Sequence, residues 1–198
     1  MSKLPKNLED PIDILMADLS GYISPTFKYF GFTPNLITTL SLIFALASIY
    51  YLLGSEFKKA GILFFASYFF DCLDGYFARK YDMTTQFGDY YDHIVDILKG
   101  TIVYTFIIIF LYQNDRIFLI ILFIFVIVIQ AIYIGCQERY VSYVNPKINS
   151  EMLGLVSKTC TGTLPEVTNK LTYLRYIGCG TAMALISILI YNLDKLKK

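Results

Sequence analysis

Five stretches of mostly apolar residues, each close to the length of a membrane-crossing helix, limit what this 198-residue chain can fold into. A helix needs about 20 predominantly apolar residues to cross the hydrocarbon core of a bilayer. The stretches cover residues 36–53, 60–77, 91–112, 117–135 and 173–191. Hydrophobic residue types make up 56% of the chain, which is more than soluble domains usually contain. The sequence therefore predicts an all-α fold, a polytopic transmembrane helix bundle in a single domain.

The interval 136–170 leaves the number of spans open between five and six. It contains several charged residues and two prolines, and its most apolar part, 152–156, is too short to cross a bilayer. Either a polar helix is buried in the bundle here, or the interval is an excursion outside the membrane. The basic residues of the carboxy terminus join the other basic segments on one side only if there are six spans, which favours six.

Residues 1–34 are predicted to form a juxtamembrane segment ahead of the bundle at 35–198. Within it, residues 11–30 mix apolar and polar side chains without reaching spanning length. Five residues fit one helical face: Ile12, Ile14, Leu15, Leu19 and Tyr22. This pattern predicts an interfacial helix that lies along the membrane surface.

The basic residues orient the predicted bundle. They concentrate in the amino-terminal segment, after the second span and after the fourth, as Lys3, Lys6, Lys28, Arg79, Lys80, Arg139, Lys147 and Lys158. The opposite side has Lys58, Lys59 and Arg116. The positive-inside rule then places the first group in the cytosol, in the endoplasmic reticulum or a bacterial inner membrane depending on the source. The net charge of only +1 indicates no nucleic-acid partner.

Four aspartates interrupt the second and third spans. Each one costs roughly 2.5–3.5 kcal/mol at the centre of a bilayer helix, so a fold keeps them only with compensating cations, water or substrate. Asp71 and Asp74 share one helix face, and Asp92 and Asp96 share another. A polar turn at 82–86 would make the two helices antiparallel and bring the carboxylates together. Oxygen ligands at this density favour Mg²⁺, Mn²⁺ or Ca²⁺ over zinc.

Three further residues beside the aspartates point to phosphate chemistry. Gly75 and Gly88 lack a Cβ atom, which allows a ligand to approach the backbone closely. Arg79 carries a guanidinium fork that matches the geometry of a phosphate group. Metal ligands, a phosphate-binding group and a spare carboxylate together indicate phosphoryl transfer. The alternative is an ion or cation transporter that uses intramembrane aspartates.

The full pattern, D-x2-D-G-x2-A-R-x8-G-x3-D-x3-D, resembles the signature of the CDP-alcohol phosphatidyltransferases. All eight defining positions are present, as Asp71, Asp74, Gly75, Ala78, Arg79, Gly88, Asp92 and Asp96. The resemblance implies a small integral membrane enzyme of about six helices. Such an enzyme transfers a phosphatidyl or similar phosphoalcohol group from a CDP-linked donor to an alcohol and releases CMP.

The resemblance also implies a role for each motif residue. Asp71, Asp74 and Asp92 would hold one or two divalent cations, Mg²⁺ or Mn²⁺, and Asp96 would be the general base for the acceptor hydroxyl. Gly75, Ala78 and Gly88 would keep the nucleotide pocket open, with Arg79 on the donor phosphate. Similar enzymes have a Pro-Asn-x-x-Thr stretch beside the donor nucleotide, which here supplies Asn35 and Thr38.

The implied partners are a CDP-linked lipid or alcohol donor, a small alcohol or diacylglycerol acceptor and membrane lipid, with a homodimer as a further candidate assembly. The acceptor stays open between inositol, inositol phosphate, glycerol phosphate, serine, phosphatidylglycerol and the reversed choline or ethanolamine arrangement. His93 is assigned a packing or polar-contact role. Lys99 and Arg175 are candidates for lining the cavity or contacting a head group. The four cysteines have no ligand-like spacing and are predicted to be reduced.

Overall fold

The computed structural model describes residues 3–145, 152–154 and 156–198, which fold into helices joined by short turns. The α-helices are α1 (Pro11–Tyr29), α2 (Pro34–Leu53), α3 (Phe57–Lys80), α4 (Gln86–Gln113), α5 (Ile117–Val144), α6 (Leu164–Leu174) and α7 (Cys179–Tyr191). Single 3₁₀ turns cover Met152–Gly154, Val156–Thr159, Arg175–Ile177 and Leu193–Leu196. No strand occurs in this part of the chain, so the predicted all-α fold is confirmed.

Capping residues fix where the helices that carry the motif region begin. Thr33 precedes α2 and accepts a hydrogen bond from the Leu36 N–H at 3.3 Å. Pro34 then occupies the first turn, where the backbone N–H that proline lacks would have no acceptor within the helix. Thr85 caps α4 in the same way, through the Gly88 N–H at 3.0 Å. Only residues 81–85 separate α3 from α4. The two helices are antiparallel as predicted, since the rings of Phe57, at the start of α3, and Phe110, near the end of α4, lie 5.2 Å apart.

Four helical stretches of the described chain are long and apolar enough to cross a membrane: Pro34–Leu53, Gln86–Gln113, Ile117–Val144 and Leu164–Tyr191. The predicted membrane helix bundle is confirmed in this sense. Helix α3 has 24 residues, which is sufficient length, but Asp71 and Asp74 lower its hydropathy. The chain is thus an integral membrane protein.

The predicted last span, 173–191, is not one continuous helix. The chain leaves the α-helical path at Arg175–Ile177, and Gly178 is extended before α7 begins. A Cβ atom on Gly178 would lie 2.7 Å from Asp10 Oδ2, so the break is where the amino-terminal segment packs against the helix. Hydropathy does not show such a break because the flanking residues stay apolar.

Small residues let the central helices α2, α3 and α7 approach closely. The Ser41 hydroxyl donates to the Ser67 carbonyl at 2.9 Å, and the Ser48 hydroxyl donates to the Ala60 carbonyl at 2.8 Å. On the other side of α3, a Cβ atom on Gly61 would lie 2.7 Å from the Ser187 carbonyl oxygen of α7. Small residues and interhelical hydrogen bonds are typical of packing inside membranes.

The carboxy terminus lies at the far end of the bundle from the aspartates. The Lys198 N–H donates to Asn114 Oδ1 at 2.9 Å, and Arg116 donates to the Leu196 carbonyl at 3.2 Å. Both partners belong to the turn between α4 and α5. The terminal lysines therefore do not join the other basic segments, and the charge argument for a sixth span was wrong.

A small apolar core lies at the aspartate end of the bundle, where the amino-terminal segment and the turn Val156–Thr159 meet α5 and α6. We call it the cap cluster; its buried members are Leu4, Leu8, Tyr133, Cys136, Val141, Cys160, Val167 and Leu171. The turn Val156–Thr159 packs against α5 so tightly that a Cβ atom on Gly135 would lie 2.6 Å from the Val156 carbonyl oxygen. Between Asn145 and Leu164 the described residues contain no spanning helix. Residues 146–151 and 155, part of the uncertain interval, lie outside the described chain.

Two cysteines of the cap cluster contradict the prediction that all cysteines are reduced. Cys136 and Cys160 form a disulfide, with their Cα atoms 4.9 Å apart. The pairing depends on the fold-back of a segment 24 residues away, which sequence spacing does not reveal. Cys72 and Cys179 are free.

Helix α1 agrees closely with the predicted amino-terminal helix. It packs on α3 and α7 through a face that includes the buried residues Met16, Ser20 and Ser24. Leu15 and Tyr22, on the predicted apolar face, are 58% and 85% exposed. That face suits contact with lipid head groups and acyl chains. Its position along the membrane surface stays a prediction.

Candidate functional site

The end of α3 and the start of α4 bring the four aspartates together. One carboxylate oxygen from each of Asp71, Asp92 and Asp96 lies within 4.8 Å of the other two. Asp74 is outside this trio, although sequence analysis grouped it with Asp71 and Asp92. Asp74 is 4% exposed, and its Oδ2 atom has no hydrogen-bond partner in the described chain.

Lys99 lies within the same cluster. Its Nζ atom is 2.5 Å from Asp71 Oδ1, 2.6 Å from Asp96 Oδ1 and 3.1 Å from Ser41 Oγ. The contact with Asp71 is a hydrogen bond, whereas the Asp96 oxygen is close without hydrogen-bond alignment. Lys99 does not line the cavity described below, but it pairs, as an intramembrane lysine must.

A cavity of about 360 Å³ opens beside the aspartates. This volume is within the usual range of small-molecule sites. All six predicted substrate-binding residues line it, together with two of the predicted metal ligands: Asn35, Thr38, Gly75, Ala78, Arg79, Gly88, Asp74 and Asp92. Asp71 and Asp96 lie behind this surface, on the Lys99 side. The structure therefore divides the aspartates into two that line the cavity and two that contact Lys99.

The two motif glycines line the cavity beside polar side chains. A Cβ atom on Gly75 would lie 3.1 Å from the Arg79 guanidinium. A Cβ atom on Gly88 would lie 3.1 Å from Asn35 Oδ1 and 3.0 Å from Thr85 Oγ1. Either methyl group would press on a polar side chain that lines the cavity. That glycine is needed at these two positions to admit a ligand stays a prediction.

The other polar candidates have local partners. His93 lines the cavity, with Nδ1 2.7 Å from the Asp89 carbonyl oxygen and 3.9 Å from Asp92 Oδ2. This agrees with a polar-contact role. Arg175 lies at the helix break, where it donates to the Asn7 carbonyl at 2.5 Å and stacks near the Tyr176 ring. It does not line the cavity.

Sequence analysis missed a cavity residue in the amino-terminal segment. Lys3 lines the cavity, and its Nζ atom lies 2.8 Å from Oε1 of Glu138, a buried residue of α5. The two residues are 135 positions apart, so no local pattern could show the contact. The only sequence signal was Glu138 itself, an acidic residue near the end of α5 to which no role was assigned.

Two aspartates of the same segment hold the amino terminus of α7. Asp10 Oδ2 accepts a hydrogen bond from the Thr181 N–H at 3.1 Å, and Asp13 Oδ2 accepts one from the Gly180 N–H at 3.4 Å. These N–H groups have no partner within their own helix, and acidic groups favour that end of the helix dipole. Burial, with Asp10 and Glu9 nearby, raises the pKa of Asp13 to about 7, although Tyr68 donates a hydrogen bond to it. Burial also raises the pKa of Glu9.

The chemistry of the cluster suits a hard divalent cation. Asp74 Oδ2 and Asp92 Oδ1 are buried carboxylate oxygens for which the described residues supply no hydrogen-bond partner. Buried carboxylate oxygens without a hydrogen-bond partner favour the binding of a divalent cation that takes carboxylate and water ligands, such as Mg²⁺ or Mn²⁺. The residues present therefore fit a divalent metal.

The comparison with known protein families agrees with this geometry. A family model described as CDP-alcohol phosphatidyltransferase matches residues 32–194, which include α2 to α7 and the whole cavity motif. The chain belongs to this family. No significant match occurs among curated proteins or among solved structures.

Family membership gives the general chemistry of the CDP-alcohol phosphatidyltransferase described above. The protein is a transferase of phospholipid synthesis that uses a CDP-linked donor, an alcohol acceptor and membrane lipid. Members of the family generally depend on a divalent metal, and three aspartates converge here. The transporter alternative is therefore disfavoured, since its support was the aspartates alone.

Proposed function

We propose that this protein transfers a phosphatidyl or related phosphoalcohol group from a CDP-linked donor to an alcohol hydroxyl, with release of CMP and dependence on Mg²⁺ or Mn²⁺. CDP-diacylglycerol is the preferred candidate donor. The observation that carries the proposal is the cavity, whose lining combines the predicted donor-binding residues with two orphaned carboxylates.

The residues act as follows in this proposal. Arg79 binds a donor phosphate, and Asn35 and Thr38 contact the nucleotide, while Gly75, Ala78 and Gly88 leave room for it. Asp71, Asp74 and Asp92 hold the divalent metal, which when bound would neutralise charge on the diphosphate. The family match supports these assignments, and the cavity supports all of them except that of Asp71, which does not line it.

Asp96 is the proposed general base. It takes the proton from the acceptor hydroxyl, whose oxygen then forms a bond to the phosphorus that carries the lipid. The bond from that phosphorus to the bridging oxygen breaks, and CMP leaves with the electron pair. Asp96 suits this role because it lies one turn beyond the cavity residue Asp92, and its Oδ1 atom forms an ion pair with the Lys99 ammonium at 2.6 Å.

The site also suits a reaction between one substrate in the membrane and another in water. The cavity is at the end of the bundle that carries the amino-terminal segment and the cap cluster, where the lipid donor and a water-soluble acceptor can meet. We place this end in the cytosol because the basic residues concentrate there. The homodimer remains a proposal without a described contact.

The test is an assay with the purified full-length protein in lipid vesicles. CDP-diacylglycerol is offered with inositol, inositol phosphate, glycerol phosphate, serine or phosphatidylglycerol, and CDP-choline or CDP-ethanolamine is offered with diacylglycerol. We expect CMP release that depends on one acceptor class. Asp96→Asn should reduce turnover by about 10²–10⁴-fold and leave donor binding intact.

Asp18→Asn is the matched control, because the Asp18 side chain is exposed on α1 and pairs only with Lys6 in the described chain. Its turnover should equal that of the unmodified protein. Absence of CMP release with every donor and acceptor would contradict the proposed function. Full activity in Asp96→Asn would instead move the base to another residue, with His93 the next candidate.

A further inference from the structure

Lys3 brings a cation into the cavity from outside the motif. Its side chain lines the cavity together with Arg79, the cationic residue that the motif supplies. Its Nζ atom donates a hydrogen bond to Glu138 Oε1 at 2.8 Å. The roles proposed for the motif residues leave this ammonium group without a function.

The ion pair of Lys3 and Glu138 presents its positive end to the cavity. The Glu138 side chain is 1% exposed and does not line the cavity, whereas the Lys3 side chain is 19% exposed and does. An anion in the cavity would therefore approach the ammonium more closely than the carboxylate behind it. Its attraction to Lys3 then exceeds its repulsion by Glu138, because the Coulomb energy falls with distance.

The ammonium group also has hydrogen-bond donors that a ligand can use. A lysine carries three N–H donors. In the part of the chain that the structure describes, Glu138 is the acceptor of one of them. Phosphate oxygens accept strong, charge-assisted hydrogen bonds from such donors. Charge and donors together therefore favour a phosphate group as the ligand of Lys3.

Packing of the amino-terminal segment fixes where Lys3 lies. The next residue, Leu4, is buried in the cap cluster, and its N–H donates to Glu9 Oε2 at 3.4 Å. Glu9 in turn accepts a hydrogen bond from the Tyr133 hydroxyl of α5 at 3.3 Å. The ammonium is thus held at the cavity wall before a ligand binds, which lowers the entropic cost of binding.

We propose that Lys3 is a substrate-binding residue, whose ammonium group donates hydrogen bonds to a phosphate group in the cavity. This inference rests on the proposed function, because it takes the cavity to be the substrate site. The phosphate belongs either to the CDP-linked donor or to a phosphorylated acceptor, and the experiment distinguishes these two sources.

The experiment measures the affinity of the full chain for phosphorylated probes by calorimetry, with Mg²⁺ present. The donor probes are CDP-diacylglycerol and CDP-choline, and the acceptor probes are inositol phosphate and glycerol phosphate. Cytidine, inositol and glycerol are the counterparts without phosphate.

Lys3→Met removes the charge and the N–H donors at similar side-chain length. We expect its affinity for one class of phosphorylated probe to fall by about tenfold, the low end of what a charge-assisted hydrogen bond contributes. Affinity for the counterparts without phosphate should not change. A loss with the donor probes assigns Lys3 to the diphosphate, and a loss with the acceptor probes assigns it to the acceptor phosphate. Lys3→Ala takes the place of Lys3→Met if that variant does not fold.

Two further variants separate ligand binding from support of the fold. Lys6→Met is the matched control, because Lys6 belongs to the same segment, is exposed and pairs with Asp18; its affinities should equal those of the unmodified protein. Glu138→Gln keeps a carbonyl oxygen that can accept the Lys3 hydrogen bond and removes the opposing charge. Its affinity for phosphorylated probes should therefore be retained or rise.

The outcomes separate this inference from the proposed function. If Lys3→Met binds every phosphorylated probe as tightly as the unmodified protein does, Lys3 has no such role and the transferase proposal stands. An equal loss in Glu138→Gln or in Lys6→Met would also overturn the inference, because the ion pair or the general charge would then be responsible. If the unmodified protein binds none of the phosphorylated probes, the proposed function itself is contradicted.

Discussion

Gly88 illustrates how a single residue shapes the cavity. A methyl group added there would lie 3.1 Å from Asn35 Oδ1 and 3.0 Å from Thr85 Oγ1, which is tighter than ordinary packing. We expect Gly88→Ala to raise the KM for the CDP-linked donor by about tenfold, equivalent to about 1.4 kcal/mol of binding. Steady-state kinetics of CMP release measure this.

Gly100→Ala in the same helix is the control for that prediction. Its methyl group would meet only the Tyr104 ring at 3.8 Å, an ordinary contact. Alanine also has the higher helix propensity, so this variant should keep its KM and gain up to about 1 kcal/mol of stability. Equal KM values in both glycine variants would show that donor does not occupy the space beside Asn35.

The residues of the motif were predictable because their spacing alone determines which helix faces they share. Asn35 and Thr38, which were named from the resemblance rather than from spacing, also line the cavity, and their contact with the nucleotide stays a prediction. The division of the aspartates was not predictable, since it depends on where the long side chain of Lys99 reaches. Lys3 was missed because its partner, Glu138, is far away in sequence.

At the scale of the elements, the contact of α1 with the start of α7 predicts that the stability of the folded protein depends on pH. The pKa of Asp13 is raised to about 7 in the folded protein, chiefly by burial. The folded state therefore holds a proton that the unfolded state loses near pH 4, and stability falls as pH rises from about 4 to 7. Asp13 should contribute about 4 kcal/mol of this loss.

Asp13→Asn should flatten the dependence, because the amide stays neutral and still accepts the Gly180 N–H. Thermal unfolding in detergent between pH 5 and pH 8 measures the slope of Tm against pH. Asp18→Asn, whose side chain is exposed, should retain the original slope. An unchanged slope in Asp13→Asn would show that Asp13 is already ionised in the folded protein at low pH.

Helix positions followed from apolar stretches and caps, as with Thr33 and Pro34 at the start of α2. The break between α6 and α7 was not predicted from the sequence. It lies where Asp10 packs against Gly178, and the hydropathy of the surrounding residues does not reveal it. Long helices are thus encoded locally, whereas their interruptions here depend on packing.

At the scale of the whole molecule, the two ends of the bundle differ in charge and in redox chemistry. The basic residues favour a cytosolic aspartate end, whereas the Cys136–Cys160 disulfide at that end is of a kind that persists mainly in oxidising compartments. We expect Tyr81→Cys to react with an impermeant thiol reagent from the cytosolic side. Asn192→Cys, at the other end, should react from the opposite side.

The unmodified protein is the control for labelling, since Cys72 and Cys179 are its free cysteines in the described chain. Labelling of Tyr81→Cys from the non-cytosolic side alone would invert the proposed orientation and agree with the disulfide. Labelling of both positions from one side would require an even number of crossings between them, which is one more or one fewer than the three helical stretches described there.

The central claim is that the aspartate cluster and its cavity carry out metal-dependent transfer from a CDP-linked donor. The most direct measurement is the rate of CMP release by the purified protein with donor and acceptor, before and after complete chelation of divalent metal. We predict that the rate falls to background in chelator and returns when Mg²⁺ or Mn²⁺ is added in excess, because Asp74 and Asp92 need a cation to bind the diphosphate. An undiminished rate in chelator would contradict the account.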